Sequence, residues 1–257
     1  MLVDLTGKKV VITGANRGIG LGLAKGFLKV GAEVVIAALE EDVTEVAKDL
    51  SKIHGCKVTG VQCDISKIDQ VDAFNERLSK VDILINNAGF EYFTPISDPS
   101  DEVDKVFRRI IETNVIGTFS VTRRLLEKIP YGGRIINTAS MWGKTAVAQF
   151  SAYCASKHAV IGLTRSLSQE LAPRRISVNS VCPGWVRTSA SMRSLSYMAK
   201  NQKQSEDTLL EEIVSAQALS GLMEPKDMVD MYLFLSGPGA DNITGQSFTV
   251  DRGELMQ

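Results

Sequence analysis

The sequence predicts one α/β domain, a doubly wound parallel sheet with helices on both faces, in three layers. Three observations point there. Short β-branched runs alternate with longer helical patterns along the whole chain, which is how strand–crossover–strand units read. The first run leads into a glycine-rich turn, Thr13-Gly14-Ala15-Asn16-Arg17-Gly18-Ile19-Gly20, that opens a helix. No Pro/Gly/Ser-rich linker, repeat or low-complexity tract divides the 257 residues, so residues 1–257 read as a single domain.

In chain order, strands are expected at Lys9–Thr13, Glu33–Ala37, Lys57–Gln62, Asp82–Asn86, Arg134–Thr138, Ser177–Val181 and Ser247–Val250. Helical patterns fill the gaps at about Gly18–Val30, Glu41–Ile53, Ile68–Leu78, Asp101–Lys128, Phe150–Leu171 and Pro225–Leu235, the last with proline in its first turn. Between Arg187 and Leu222 the rhythm breaks. That stretch is polar, helix-prone and without a strong buried stripe, and it follows a strand. An insertion at the carboxyl edge of such a sheet is where a mobile substrate lid belongs.

Composition narrows the function classes. At 44% hydrophobic the chain can bury one sizeable core. A net charge of -1 argues against non-specific attraction to nucleic acid or to an anionic membrane. No apolar run has membrane-spanning length. The start, Met1 to Lys9, lacks a basic segment followed by an apolar core and leads straight into Val10-Val11-Ile12, so cytoplasm is the expected compartment. Cys56, Cys63, Cys154 and Cys182 are far apart and read as buried thiols rather than a disulfide framework. With His54 and His158 the only histidines, no metal site is expected.

The chemistry-bearing residues begin with Tyr153 and Lys157 in Ser-Ala-Tyr-Cys-Ala-Ser-Lys (151–157). Four apart on a helix, they share a face. A free phenol titrates near pH ~10, and lowering that by about 3 units takes roughly 4 kcal/mol. One cation about 4 Å away in a partly screened site supplies roughly that much. Alone, the pair would read as incidental on an amphipathic helix; with Ser140 and a nucleotide-type turn upstream it reads as an acid/base.

In the turn, Gly14 permits the sharp bend, Gly18 lets backbone approach a pyrophosphate and Gly20 allows close helix–sheet packing, while the helix N-terminus offers N–H donors. Asn86-Asn87-Ala88-Gly89, at a strand's carboxyl end, suits a wall beside a bound ribose, or else a tie between strand ends. Asp64, before Ile65, suits an adenine amino group, or else a cap on the next helix. Pro183-Gly184-Trp185-Val186-Arg187-Thr188 bends the chain over the sheet edge, with Thr188 able to hold a carboxamide, or is a plain turn.

Taken in order, the Thr-Gly-x-x-x-Gly-x-Gly turn (13–20), Asn86–Gly89, Asn114, Ser140, Tyr153-x-x-x-Lys157 and Pro183-Gly184 resemble the short-chain dehydrogenase/reductase family over essentially the entire chain. The resemblance implies a Rossmann-like fold and a hydride-transferring oxidoreductase acting on a secondary alcohol/ketone pair. It implies Tyr153 as general acid/base, Ser140 holding the substrate oxygen, Lys157 on the nicotinamide ribose, and Asn114 holding a water. Cofactor contacts would come from Gly14, Asn16, Arg17, Gly18, Ile19, Gly20, Leu39, Asp64, Ile65, Asn87, Ala88, Gly89, Tyr153, Lys157, Pro183, Gly184, Val186 and Thr188. It also implies that the long stretches Asp101–Lys128 and Phe150–Leu171 pack against symmetry mates in a homotetramer.

Two positions depart from the family pattern. Arg252 stands where a second glycine is common, which puts the C-terminal turn in question. Ala38, followed by Leu39, stands where NAD-preferring members often carry Asp. An Asp would repel a 2′-phosphate; its absence, with Arg17 in the turn, favours NADP(H), while Glu40 and Glu41 keep NAD(H) open. Phe90, Tyr92, Met141, Trp142 and residues 187–222 are expected to shape the substrate pocket. Sugar or polyol, ketoacyl and cyclic ketone substrates all fit that lining. A non-catalytic nucleotide sensor, or a different reaction such as epimerisation or dehydration on the same fold, is the competing reading.

Overall fold

In the computed structural model, which describes residues 3–256, the expected architecture is present. Among these residues the elements run β1 (Lys9–Thr13), α1 (Gly18–Lys29), β2 (Glu33–Ala38), α2 (Val43–His54), β3 (Thr59–Gln62), α3 (Ile68–Glu76), β4 (Ile83–Asn86), α4 (Asp101–Ile111), α5 (Thr118–Leu125), β5 (Arg134–Thr138), α6 (Ser151–Glu170), β6 (Ser177–Pro183), α7 (Ser189–Gln202), α8 (Glu206–Ser215), α9 (Val229–Ser236) and β7 (Ser247–Val250). The strands form one all-parallel sheet in the order β3-β2-β1-β4-β5-β6-β7.

Strands buried on both faces explain the near-continuous apolar runs. Successive side chains alternate across the sheet. Val10 and Ile12 of β1 therefore pack on one side with Leu23 and Phe27 of α1 and Tyr232 and Leu235 of α9. Val11 and Leu84 pack on the other with Phe74 of α3, Val121 and Leu125 of α5 and Leu167 of α6. The strand order reverses between β1 and β4, so a crevice opens at their carboxyl ends. All the candidate chemistry converges there.

Several boundaries differ for physical reasons. β3 begins at Thr59 rather than Lys57, because the Val58 N–H donates to the Ser51 hydroxyl at 2.9 Å instead of joining the ladder. The expected single helix 101–128 is interrupted by a π-helical turn over Glu112–Gly117 and closes in a 3₁₀ turn over Leu126–Lys128. The helix expected from Pro225 starts as a 3₁₀ turn over Pro225–Met228. Arg252 adopts φ 58°, the left-handed region that glycine occupies without steric cost, and its guanidinium donates to the Ser220 carbonyl at 2.8 Å.

Two expectations are corrected outright. The 187–222 stretch does carry a buried stripe: α7 and α8 form a helical hairpin in which Leu195, Ala199 and Leu209 share a separate apolar cluster with Met141 and Trp185. Its alternation with serine and lysine hid that stripe. Cys56 is exposed, whereas Cys63, Cys154 and Cys182 are buried; all four are free thiols. Among the described residues no group of side chains could hold a metal ion, and no helix is long and apolar enough to cross a membrane.

Candidate active site

The turn after β1 is shaped by close backbone approach. Gly14 sits at φ 65°, and a Cβ there would come within 2.7 Å of the Ala88 Cα. A Cβ on Gly20 would collide with the Gly14 carbonyl and lie 2.6 Å from Asn87 Nδ2. The β1 and β4 ends are stitched together around that contact. Thr13 Oγ1 accepts the N–H groups of Asn87 and Ala88 at 3.0 Å, and Asn87 Nδ2 donates to the Thr13 and Gly14 carbonyls. Asn86 is a strand tie, its amide donating to Thr122 Oγ1 and Asn137 Oδ1 at 2.9 Å, whereas Asn87 both ties the strand ends and lines the cavity described below.

No side chain caps the first N–H groups of α1, and its first turn holds no acidic residue. An open helix N-terminus of this kind, beside backbone that admits no Cβ, suits a diphosphate. It faces a cavity of about 740 Å³. Every cofactor contact expected from sequence lines that one cavity: Gly14, 16–20, Leu39, Asp64 and Ile65, 87–89, Tyr153, Lys157, Pro183, Gly184, Val186 and Thr188. Ser140 lines it too.

Several of these side chains have second tasks. Asp64 Oδ1 accepts the N–H and hydroxyl of Ser66 in a local turn ahead of α3; it does not cap that helix, whose N-cap position is Lys67 with no side-chain hydrogen bond. Thr188 Oγ1 accepts the Ser191 N–H as the N-cap of α7. Arg17 pairs with Glu40 at 2.5 Å, and the Asn16 amide donates to Glu40 and to Asp42.

Tyr153 and Lys157 lie one turn apart on α6, as their spacing requires, with Lys157 Nζ 5.5 Å from the phenol ring centroid. Lys157 is buried and donates to the Thr138 carbonyl at 2.8 Å, at the end of β5. Ser140, in the extended residue before a 3₁₀ turn, accepts the Trp142 N–H at 3.2 Å. Asn114 does not line the cavity. It sits in the π-helical turn, where its amide donates to the Phe90 carbonyl and Ser156 hydroxyl and accepts the Phe90 N–H. It stands directly behind Gly89, on the same side as Lys157.

The electrostatics correct one sequence-based estimate. In the protein alone, burial pushes the Tyr153 phenol above its ordinary value, the charge of Glu91 adds to that, and the hydrogen bond with Ser140 opposes it. Burial also pulls the Lys157 ammonium down to about 8, against the Glu91 charge that supports it. A sequence-only estimate counted the cation and left out desolvation.

Sequence reasoning missed Glu91, Arg109, Thr138 and Arg193, all of which line the cavity. Glu91 and Arg193 come from loop and helix positions with no motif around them. Of the pocket residues expected, Phe90, Met141 and Trp142 line the cavity, whereas Tyr92 does not: it stacks on Phe93, which stacks in turn on Tyr197 of α7. His158 Nδ1 bonds the Cys154 carbonyl at 2.9 Å within α6.

Comparison with known proteins agrees with this geometry. The short chain dehydrogenase family profile matches residues 8–198. The chain is 34% identical over 253 residues to a putative ketoacyl reductase of Streptomyces coelicolor, covering 95% of each. Among solved structures it is similar to L-sorbose reductase from Gluconobacter frateurii, complexed with NADPH and L-sorbose, at 28% identity and a TM-score of 0.90, covering 100% of both chains. It is also similar to a variant of actinorhodin polyketide ketoreductase with NADPH, at 32% identity and a TM-score of 0.88, covering 98% of this chain and 99% of that one. On the profile match and on this similarity over nearly its whole length, the chain belongs to the short chain dehydrogenase family.

Proposed function

We propose that the protein is an NADP(H)-dependent oxidoreductase that interconverts a ketone and a secondary alcohol, with Tyr153 as general acid/base. The observation that carries this reading is the meeting of Ser140, Tyr153 and Lys157 in the cavity onto which the glycine turn opens. A bound nicotinamide supplies the hydride chemistry. The chain's own residues manage the oxygen and its proton. The Ser140 and Tyr153 hydroxyls meet a carbonyl oxygen as it gains negative charge. A phenol is protonated at neutral pH and is therefore in the state to donate its proton to the reduced oxygen. Lys157, fixed by Thr138, lies within reach of a ribose hydroxyl, and Asn114 braces the Gly89 wall beside it.

NADP(H) is favoured over NAD(H) because β2 ends in Ala38, where an acid would repel a 2′-phosphate, and Arg17 lines the cavity. The relatives complexed with NADPH support the same choice. The α7–α8 hairpin acts as a lid over the substrate end, and Thr188 as its hinge cap. Exposed Phe107, Ile116 and Phe119, on α4, α5 and the turn between them, suit packing against a second copy in a homotetramer. The test is a panel of ketones and alcohols read at the reduced-nicotinamide absorbance band with each cofactor. Reduction of at least one ketone, faster with NADPH, is expected. Cofactor binding without turnover of any carbonyl or alcohol would leave a nucleotide sensor instead.

A further inference from the structure

Glu91 is a buried carboxyl in the cavity that the proposed proton chemistry leaves unused. It sits in the loop after β4, two residues beyond Gly89, and lines the cavity with Ser140, Trp142, Tyr153 and Trp185. Its carboxylate accepts a hydrogen bond from the Ser194 hydroxyl of α7. The neighbouring Arg193 donates to the Glu91 backbone carbonyl at 2.9 Å, with its guanidinium 5.8 Å from the Tyr92 ring centroid, and supports the carboxylate through its charge without a hydrogen bond to it. Among the described residues no ion pair to the Glu91 carboxylate is formed. A carboxylate has about four acceptor positions, and one hydroxyl fills one of them. Desolvation holds the group above the ordinary carboxyl range, a cost that folding alone does not require.

The surroundings decide what would fill the remaining positions. Glu91 acts electrostatically on both Tyr153 and Lys157, so it stands close to where a carbonyl would react. The cations Lys157 and Arg193 act on it electrostatically, and Arg109 and Glu112 also line the cavity. The field is mixed, and a substrate cation gains no net attraction from it. A substrate carboxylate beside the carbonyl would face Glu91 directly. A neutral hydroxyl has neither penalty and donates a charge-assisted hydrogen bond. The opposite wall is aromatic: Trp142 meets Tyr153 at 6.0 Å and Trp185 at 5.8 Å, both edge to face. Aromatic faces take the C–H surface of a polyhydroxylated chain while an acceptor takes its hydroxyls.

We propose that Glu91 is a specificity-determining residue that accepts a hydrogen bond from a hydroxyl adjacent to the reacting carbonyl, so that the substrate class is a neutral polyhydroxylated ketone and its polyol. This rests on the carbonyl-reductase reading above. A pure tether to α7 is the competing role, and Glu91→Gln separates the two, because the amide oxygen still accepts from Ser194. The experiment measures kcat/KM with NADPH on three four-carbon substrates, L-erythrulose, 2-butanone and acetoacetate, for wild type and Glu91→Gln. Wild type favours L-erythrulose. Because the Glu91 charge also acts on Tyr153 and Lys157, rates are read relative to 2-butanone: the variant loses roughly tenfold or more on L-erythrulose against that reference, the scale of one charge-assisted hydrogen bond, and gains on acetoacetate against it. An equal loss on all three substrates, or no loss on L-erythrulose, overturns the proposal. Wild-type reduction of other ketones but no hydroxylated one overturns it while the reductase reading survives. No reduction of any carbonyl, with NADPH still bound by fluorescence, removes both.

Discussion

Arg17→Ser is expected to weaken NADPH selectively. In the cofactor-free protein the Arg17 guanidinium is 62% exposed and pairs with a Glu40 carboxylate that is 36% exposed. An ion pair that open to water is worth only about 0.2–1 kcal/mol. A 2′-phosphate that captured the same guanidinium would gain a charge-assisted contact of roughly 1.5–3 kcal/mol. The exchange therefore favours phosphate by about 0.5–2.8 kcal/mol, and most of that is lost with the side chain. At about 1.4 kcal/mol per decade, the NADPH dissociation constant should rise between roughly twofold and a hundredfold. Glu40, which loses its partner in the variant, adds repulsion of the phosphate to that loss. NADH, with no phosphate there, should move by less than about twofold on the same scale. Fluorescence titration of both cofactors against wild type and variant measures this, and adding salt should shrink the difference because the pair is screened. Equal weakening of NADPH and NADH, or a wild type that already prefers NADH, would refute a phosphate-binding Arg17.

Other consequences follow from the same structure. Gly20→Ala should abolish cofactor binding or destabilise the fold, because the added methyl collides with the Gly14 carbonyl and with Asn87; binding and melting temperature unchanged from wild type would contradict the close-packed turn. Glu91→Gln should be stabilising, with a pH signature. The folded carboxyl titrates above its ordinary value, so folding favours the protonated form. The wild type therefore loses stability as pH rises from the unfolded value through the folded one, and the neutral variant does not. Its melting-temperature advantage should be small in acid and grow toward neutral pH; a constant or shrinking advantage would mean that burial does not set this group. Hydrogen exchange should show the α7–α8 hairpin partly protected without ligand, through its Leu195–Leu209 cluster, and further protected when NADPH and a ketone are both present. Protection that does not change on binding would make the hairpin a packing element rather than a lid.

What could be read from sequence followed from periodicity and from spacing. Val10-Val11-Ile12 and Ile83-Leu84-Ile85 are apolar on both faces, so their central place in a parallel sheet was legible. The i, i+4 relation of Tyr153 to Lys157, and the glycines that permit the Gly14–Ala88 contact, were legible for the same reason: backbone geometry dictates them. Long-range partnerships were not. Nothing in the order of residues says that Asn87 reaches back to Thr13, that Asn114 ties Phe90 to Ser156, or that Ser194 meets Glu91 across 103 positions. Desolvation was equally hidden. The attraction between Lys157 and Tyr153 could be estimated from spacing, but the burial that outweighs it depends on packing from β5, α6 and the loop after β4. The interrupted helix at Glu112–Gly117 escaped because a π-helical turn has no strong composition of its own.

Tyr153→Phe tests the catalytic assignment most directly. The substitution removes one hydroxyl and keeps the ring that meets Trp142. Stopped-flow or steady-state oxidation of NADPH should be compared for wild type and variant on the best ketone of the panel, with NADPH affinity measured alongside. Turnover is expected to fall by about 10²–10⁴-fold, the usual contribution of a positioned acid/base, while the NADPH dissociation constant stays near wild type. Near-wild-type turnover in a variant that folds and binds NADPH would contradict a catalytic phenol at position 153.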